Sequence, residues 1–157
     1  MSTRYAERTE VSSDRSRAEI EATLRRYGAC AFGYAWEDAA RCALVMFEID
    51  GRRIRFRLPL PDRHDRAFTH TASRRLPRDQ AAQDAEYERA VRQRWRALAL
   101  VIKAKLEAVA AGITTVQDEF LAQIVLPAGP TVGEWLTPQL DSAYAGHQLP
   151  ALLPGSG

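Results

Sequence analysis

One turn constrains the fold of this chain more than any other feature. Asp50-Gly51 separates two runs of alternating apolar and polar residues, Cys42 to Ile49 and Arg52 to Leu58. A two-residue type I′ turn requires positive φ at both central positions, and the pair Asp-Gly meets this requirement. The sequence therefore predicts a β-hairpin whose register is defined by its turn.

This register predicts one apolar face and one basic face. Ile49 would face Arg52, and the pairing would continue to Ala43 opposite Leu58. The outer face would then carry three arginines in a row, Arg53, Arg55 and Arg57. Residues two apart on a strand lie about 6 to 7 Å apart, which is close to the phosphate spacing of one nucleic-acid strand. The row is therefore a candidate phosphate-binding surface.

A third strand is predicted ahead of the hairpin. Phe32, Tyr34 and Trp36 alternate with small residues, so the three aromatic rings share one face. We expect this aromatic row to face the core. The alternative interpretation is a platform on which unpaired bases stack.

Helical patterns flank the three strands. The first helix is expected from about Ser16 to Tyr27, and Pro77 opens a long helix that reaches about Ala111. The first two turns of the long helix are expected to project from the domain. Small helices follow, and Pro138 is expected to begin the last of them.

The predicted fold class is α+β. Its element order is an N-terminal helix, a three-stranded antiparallel meander, a long basic loop over residues 59–76, the long helix and small C-terminal helices. We expect a single domain over residues 1–157, with residues 1–12 and 147–157 as loose tails. Two cysteines, no apolar N-terminal stretch and no membrane-length apolar run predict a cytoplasmic protein that does not contact membranes.

The charge of the chain is unevenly distributed. Residues 52–78 hold nine arginines against two aspartates, a local charge of +7 in a chain whose net charge is +2. The long helix adds a second basic flank, which contains Arg89, Arg92, Arg96 and Lys103. We expect the hairpin, the loop and this flank to form one groove for a phosphate backbone. The alternative is that these arginines are ordinary solvated side chains.

No catalytic residue, metal site or cofactor is predicted. His64 lies between Asp62 and Asp65, with His70 nearby, but the spacing matches no rigid metal motif and indicates a solvated turn. Phosphate-binding glycine loops, dinucleotide fingerprints and nucleophile elbows do not occur in the sequence. An enzyme is therefore the weakest of the functional alternatives.

Two stretches resemble a group of uncharacterised proteins from tailed phages, prophages and environmental bacteria. These are RQRWRALALVIKAKLEAVAAGI, from Arg92 to Ile113, and EFLAQIVLP followed by GPTVGEWLTPQL, from Glu119 to Leu140. The SRAEI and LRRYGA segments between Ser16 and Ala29 fit the same group. The resemblance implies a phage or mobile-element setting and no particular activity.

The favoured hypothesis is a nucleic-acid-associated accessory protein that binds single-stranded DNA without sequence preference. Its phosphate contacts would be Arg53, Arg55, Arg57, Arg92, Arg96 and Lys103. The alternative is a protein-interaction or assembly module that forms homo-oligomers through the long helix.

Overall fold

The hairpin has the register that its turn predicts. The structure of the protein is a computed structural model that describes residues 3–73 and 75–147, with side chains from residue 13 onward. Asp50 and Gly51 have φ values of 50° and 68°, as a type I′ turn requires. Ile49 pairs with Arg52, and the ladder continues to Ala43 opposite Leu58. Turn chemistry and side-chain alternation therefore define this part of the fold together.

The element order confirms the predicted α+β class. Three antiparallel strands form one sheet in the order β1-β2-β3. The elements are α1 (Thr3–Arg26), β1 (Ala31–Glu37), β2 (Cys42–Ile49), β3 (Arg52–Pro59), α2 (Arg66–Thr69), α3 (Gln80–Ala110), α4 (Val116–Glu119), a 3₁₀ turn (Leu121–Gln123) and α5 (Val132–Gly146).

The core lies between the sheet and two helices. Alternate residues of β2 and β3, such as Val45 and Ile54, are fully buried on the inner face. α1 and α3 pack against each other over this face, and Trp95 and Ile102 of α3 are fully buried there. The sheet is therefore covered by helices on its inner face, and its arginines project from the opposite face.

The first helix is longer than its sequence pattern predicts. α1 begins at Thr3, so the prediction of a loose arm is wrong for residues 3–12. No glycine or proline interrupts this segment, so the helix continues through Ser16, where the sequence pattern predicts its start. Gly28 follows the helix in the left-handed conformation, with φ of 89°. Of the predicted tail over residues 147–157, His147 caps the end of α5, and residues 148–157 lie outside the described residues.

The start of the long helix is packed and does not project. α3 begins at Gln80, three residues after Pro77, because the Asp79 carboxylate accepts a hydrogen bond from the Ala82 N–H at 2.8 Å. The preceding loop folds back onto this first part of the helix. The Phe68 ring meets the Tyr87 ring edge-on at 5.7 Å, which encloses the end that we expected to be free.

The last helix is continuous through its proline. α5 begins after Thr131, whose side chain and that of Glu134 form the capping box that their spacing predicts. Pro138 lies inside α5, so the prediction that it begins a separate helix is wrong. Pro138 lacks the backbone N–H that would donate a helical hydrogen bond at its position. The capping box stabilises the first turn of α5 ahead of this proline.

Candidate nucleic-acid interface

Three arginines of β3, Arg53, Arg55 and Arg57, form what we call the hairpin stripe. As predicted, their side chains leave the outer face of the sheet, since the intervening residues Ile54 and Phe56 are buried on the inner face. The stripe is not uniformly free, however. Its three guanidinium groups have three different environments, and these decide how much positive charge each one presents.

Arg55 is neutralised by a carboxylate from the far end of the chain. Its Nη2 donates to Glu134 Oε2 at 2.7 Å, and only 22% of the Arg55 side chain is exposed. The segment ahead of α5 holds Glu134 in place, because the Val125 N–H donates to the Arg53 carbonyl at 2.8 Å. A hydrogen bond from the Thr131 N–H, together with the Arg55 guanidinium, lowers the pKa of Glu134. Glu134 therefore remains charged opposite Arg55.

Arg57 takes part in a polar row that crosses all three strands. Its guanidinium lies 3.5 Å from the Glu37 carboxylate and donates to Cys42 Sγ at 3.4 Å. The Cys42 thiol donates in turn to Glu37 at 3.3 Å. Burial and this bond to Glu37 raise the pKa of Cys42, so the thiol stays protonated. Arg57 is 47% exposed, but the nearby Glu37 carboxylate offsets its positive charge.

Arg53 is the one member of the stripe that has no ion pair with a described residue. Glu48 lies opposite it in the register, yet the two side chains form no ion pair. Arg53 and Arg52 line an open cleft of about 580 Å³ between the hairpin turn and residues 124–129. Glu48 lines the same cleft, so the Arg53 guanidinium lies near a carboxylate although the two form no ion pair.

A second row of basic side chains has fewer ion pairs than the hairpin stripe. Arg89, Arg92, Arg96 and Lys103 project from one exposed flank of α3, and we call this row the α3 ridge. Lys103 lies 4.0 Å from Glu107, whereas the three arginines have no ion pair within the described part of the chain. Steps of three and four residues separate these arginines along the helix axis by about 4.5 and 6 Å.

The two rows do not line one groove. α3 packs its buried residues against the inner face of the sheet, while the hairpin stripe leaves the outer face. The core therefore separates Arg53, Arg55 and Arg57 from Arg92, Arg96 and Lys103. The structure brings the members of each row close to one another, but it places the two rows on different sides of the molecule.

Ion pairs connect the basic loop between the sheet and α3 to the elements around it. Arg63 forms an ion pair with Asp84 at 2.6 Å and lies 5.0 Å from the Tyr87 ring. Arg41 pairs with Asp62, whose pKa is lowered first by the His64 backbone N–H and then by Arg41. These contacts pack the loop against neighbouring elements and match Arg63 to a carboxylate.

The histidines of this loop lie in a capped turn. The His64 N–H donates to Asp62 at 2.9 Å, and His70 contacts the Thr69 hydroxyl at 2.9 Å. Among the described residues, no group of three potential metal ligands is present. The geometry agrees with the turn that the sequence indicates.

The aromatic row faces the core, as expected. Trp36 meets Trp95 of α3 edge-on at 6.0 Å, and Phe32 packs against the buried cluster. Tyr34 alone is largely accessible, at 43% exposure, and the Arg17 guanidinium lies 4.2 Å above its ring. This arrangement argues against a stacking platform, since two of the three rings are committed to packing.

Sequence reasoning did not find the carboxylates that neutralise the stripe. Neither Glu134 nor Glu37 was among the predicted site residues. Glu37 had one signal, because alternation along β1 places it on the same outer face as Cys42 and Arg57. Glu134 had none, since it lies 79 positions beyond Arg55.

No known protein family, curated protein or solved structure matches this chain. Within the described residues, no helix is both long enough and apolar enough to cross a membrane. The geometry of the two basic rows is therefore the main indication of what the chain binds.

Proposed function

We propose that this protein binds the phosphate backbone of a nucleic acid through the α3 ridge, with single-stranded DNA as the favoured ligand. The observation that carries the proposal is the set of exposed ridge arginines, Arg89, Arg92 and Arg96, which have no ion pair within the described residues. Uncompensated charge attracts an anion, whereas a guanidinium already matched to a carboxylate attracts it much less.

The spacing of the ridge supports a polyphosphate ligand. Neighbouring ridge arginines are separated along α3 by about 4.5 to 6 Å, and long side chains can adjust this to the 6 to 7 Å between successive phosphates. A guanidinium can contact phosphate oxygens in a bidentate manner. Three such contacts on one helix would follow one strand for several nucleotides.

The same contacts account for the absence of sequence preference in the proposal. Bonds to phosphate position a protein on nucleic acid but carry no direct base information. Phe32 and Trp36 are packed, so they are not free to stack on bases. Within the hairpin stripe, Arg53 is the member that retains an unmatched charge, and it is a secondary contact in this proposal.

A salt-dependent binding assay tests this function. Fluorescence anisotropy of a labelled single-stranded oligonucleotide should show binding near 50 mM salt that weakens steeply towards about 200 mM. The R89Q/R92Q/R96Q variant should lose most of this affinity. A control, R25Q/R26Q/R75Q, removes the same net charge from other surfaces and should bind nearly as the wild type does. Absence of binding at low salt by the folded wild-type protein would contradict the proposal.

Assembly remains the second candidate, although its contact surface differs from the one expected. The apolar stripe of α3 is enclosed by the sheet and α1, so the free apolar surface of the long helix is limited among its large side chains to Leu100 and Val101. Exposed apolar side chains lie instead on α5, where Trp135, Leu140 and Tyr144 are accessible and no residue is buried. Several exposed apolar side chains on one helix favour a contact with another protein.

A further inference from the structure

We propose that β1 is a homodimerisation edge, at which two copies of the chain join their sheets into one six-stranded antiparallel sheet. The proposal is independent of nucleic-acid binding. β1 has β2 on one side and, among residues 3–73 and 75–147, no strand on the other. A strand in this position presents unpaired peptide groups to its surroundings.

The hairpin turn determines which peptide groups of β1 are unpaired. In a two-residue hairpin, the pair flanking the turn, Ile49 and Arg52, exchanges both hydrogen bonds. Odd-numbered residues of β2 therefore bond to β3, and even-numbered residues bond to β1. Since Met46 pairs with Gly33, the peptide groups of Gly33 point inwards to β2.

The outward peptide groups of β1 are consequently those of its three aromatic residues, Phe32, Tyr34 and Trp36. The same alternation turns the peptide groups of Arg53 outward on β3, and the Arg53 carbonyl does accept a bond from the Val125 N–H at 2.8 Å. This agreement at the opposite edge supports the assignment made for β1.

The two sheet edges are protected differently. The β3 edge carries the arginines of the hairpin stripe, is contacted by residues 124–125, and has the Pro59 carbonyl bonded to Arg94 at 2.7 Å. β1 has no lysine, arginine or proline, and its one charged residue is Glu37 at the very end. Charged side chains, proline and covering segments are the usual means of preventing edge pairing. Within the described part of the chain, the first six residues of β1 carry no charge or proline and no segment pairs with their outer edge, although the Arg17 guanidinium of α1 lies 4.2 Å from the Tyr34 ring.

β1 is also self-complementary in the antiparallel direction. With a two-fold axis at Tyr34, the outward groups of Tyr34 bond to their own copy, and those of Phe32 bond to Trp36 of the second copy. This register forms about six main-chain hydrogen bonds, because every outward residue meets another outward residue. Aromatic residues would face each other across the new strand pair, an arrangement that stabilises sheets.

The surroundings of the edge leave room for a second copy. Tyr34 is 43% exposed at the proposed axis, and its exposed ring surface would be covered by pairing. A cleft of about 220 Å³ lies between α1 and the start of β1, next to Leu24 and Phe32. The outer face of β1 carries Gly33 and Ala35, which present no bulk to an approaching strand. A second copy of this chain is therefore the occupant that fits the edge best.

Solution mass is the first test. The chain has a mass of 17.6 kDa, so light scattering after size exclusion should give about twice this value at micromolar concentrations. Tyr34→Lys places two like charges at the axis and should raise the dimer dissociation constant at least tenfold. Tyr34→Phe is the matched control and should leave the dimer intact. Circular dichroism should confirm that both variants are folded.

Disulfide trapping tests the register itself, in a background where the exposed Cys30 is replaced by serine. Gly33 would lie directly opposite Ala35 of the second copy, with Cα atoms about 4.5 Å apart. A mixture of Gly33→Cys and Ala35→Cys chains should therefore cross-link readily, since this separation suits a disulfide. Each variant alone should cross-link poorly, because like positions are offset along the two strands. Gly33 has a negative-φ conformation with open space around it, so the substitution fits.

A monomeric wild-type protein at high concentration would overturn the proposal. A dimer that survives Tyr34→Lys and shows no preferential cross-link in the mixture would also overturn it, because assembly would then use another surface such as α5. Neither outcome depends on DNA binding, so the two proposals can fail separately.

Discussion

The hairpin stripe and the α3 ridge are both rows of arginines, yet they differ in how much charge they present. Arg55 and Arg57 on the strand reach Glu134 and Glu37, whereas the ridge arginines reach no carboxylate among the described residues. A residue on an open sheet face can meet neighbours from other strands and from later segments. A residue on an exposed helix flank meets mainly its own neighbours three or four positions away.

The helical neighbours of the ridge explain why it remains free. Glu86 lies three residues before Arg89, but its carboxylate is 3.8 Å from Arg78 in the preceding loop. Arg92 and Arg96 are four residues apart, so they are each other's neighbours and repel. Glu88 lies four residues before Arg92, a spacing that suits a helical ion pair, yet Arg92 has no ion pair with a described residue. Free charge on α3 therefore depends on where the nearby carboxylates are directed, and neutralised charge on β3 is a consequence of the tertiary fold.

Charge reversal gives the largest expected contrast between the two rows. R92E/R96E should weaken binding of a single-stranded oligonucleotide at least tenfold at low salt, since two attractive contacts become repulsive. R53E/R57E reverses the same number of charges on the stripe and should cost no more than about threefold, because Arg57 is already matched. Anisotropy titrations measure both. A larger loss from the stripe variant would reverse our ranking of the two surfaces.

Stability should respond in the opposite order. R55Q removes a partly buried ion pair at the α5 capping box and should lower the free energy of unfolding by about 0.5 to 1 kcal/mol. R92Q breaks no contact and should change it by less than about 0.5 kcal/mol. Urea denaturation followed by circular dichroism distinguishes the two. Equal effects would indicate that Arg55 is as free in solution as Arg92.

The sequence-based predictions agree with the structure where they depend on neighbouring residues, and they differ from it where contacts between distant segments decide the outcome. Asp50-Gly51 predicted the hairpin pairs from Ile49–Arg52 to Ala43–Leu58, because a two-residue turn leaves only one register, and the observed ladder extends one pair further, to Cys42–Pro59. The apolar stripe of α3 predicted a helix whose bounds are within a few residues of those observed. Both are local signals that depend on neighbouring residues.

The features that sequence reasoning missed depend on contacts between distant segments. The Arg55–Glu134 pair joins β3 to α5, and no periodicity relates the two positions. The first turns of α3 were expected to project because their partner, Phe68, belongs to a loop without a regular pattern. The predicted single groove failed for the same reason, since the helix layer and the outer sheet face are separated by the core.

Removing the carboxylates that pair with Arg55 and Arg57 should make the hairpin stripe present more positive charge, as the α3 ridge does. E37Q/E134Q frees Arg57 and Arg55 from their carboxylates, and it should raise oligonucleotide affinity about twofold to fivefold at low salt. D118N/D141N makes the same change in net charge at exposed acids away from the stripe and should raise affinity less. Equal gains from both variants would mean that overall charge, and not the stripe, is responsible.

The smallest expected effect is on the pH dependence of stability. The folded-state pKa of Glu134 lies below its ordinary value of 4.5, so its contribution is present above that value and is lost as pH falls through the lower folded-state pKa. The difference in unfolding free energy between wild type and E134Q should therefore be constant from neutral pH to about pH 5 and shrink below that. Urea titrations at several pH values measure it. A difference that grows on acidification would contradict the ion pair with Arg55.

The salt dependence of binding tests the central claim most directly. Each phosphate contact on a single strand contributes about 0.7 to the slope of log affinity against log salt, so R89Q/R92Q/R96Q should reduce the slope by about 2. R55Q/R57Q should reduce it by less than about 0.5, because these two charges are matched before any ligand arrives. A slope that falls as much for the stripe variant as for the ridge variant would show that the ion pairs on β3 do not withhold charge from the nucleic acid.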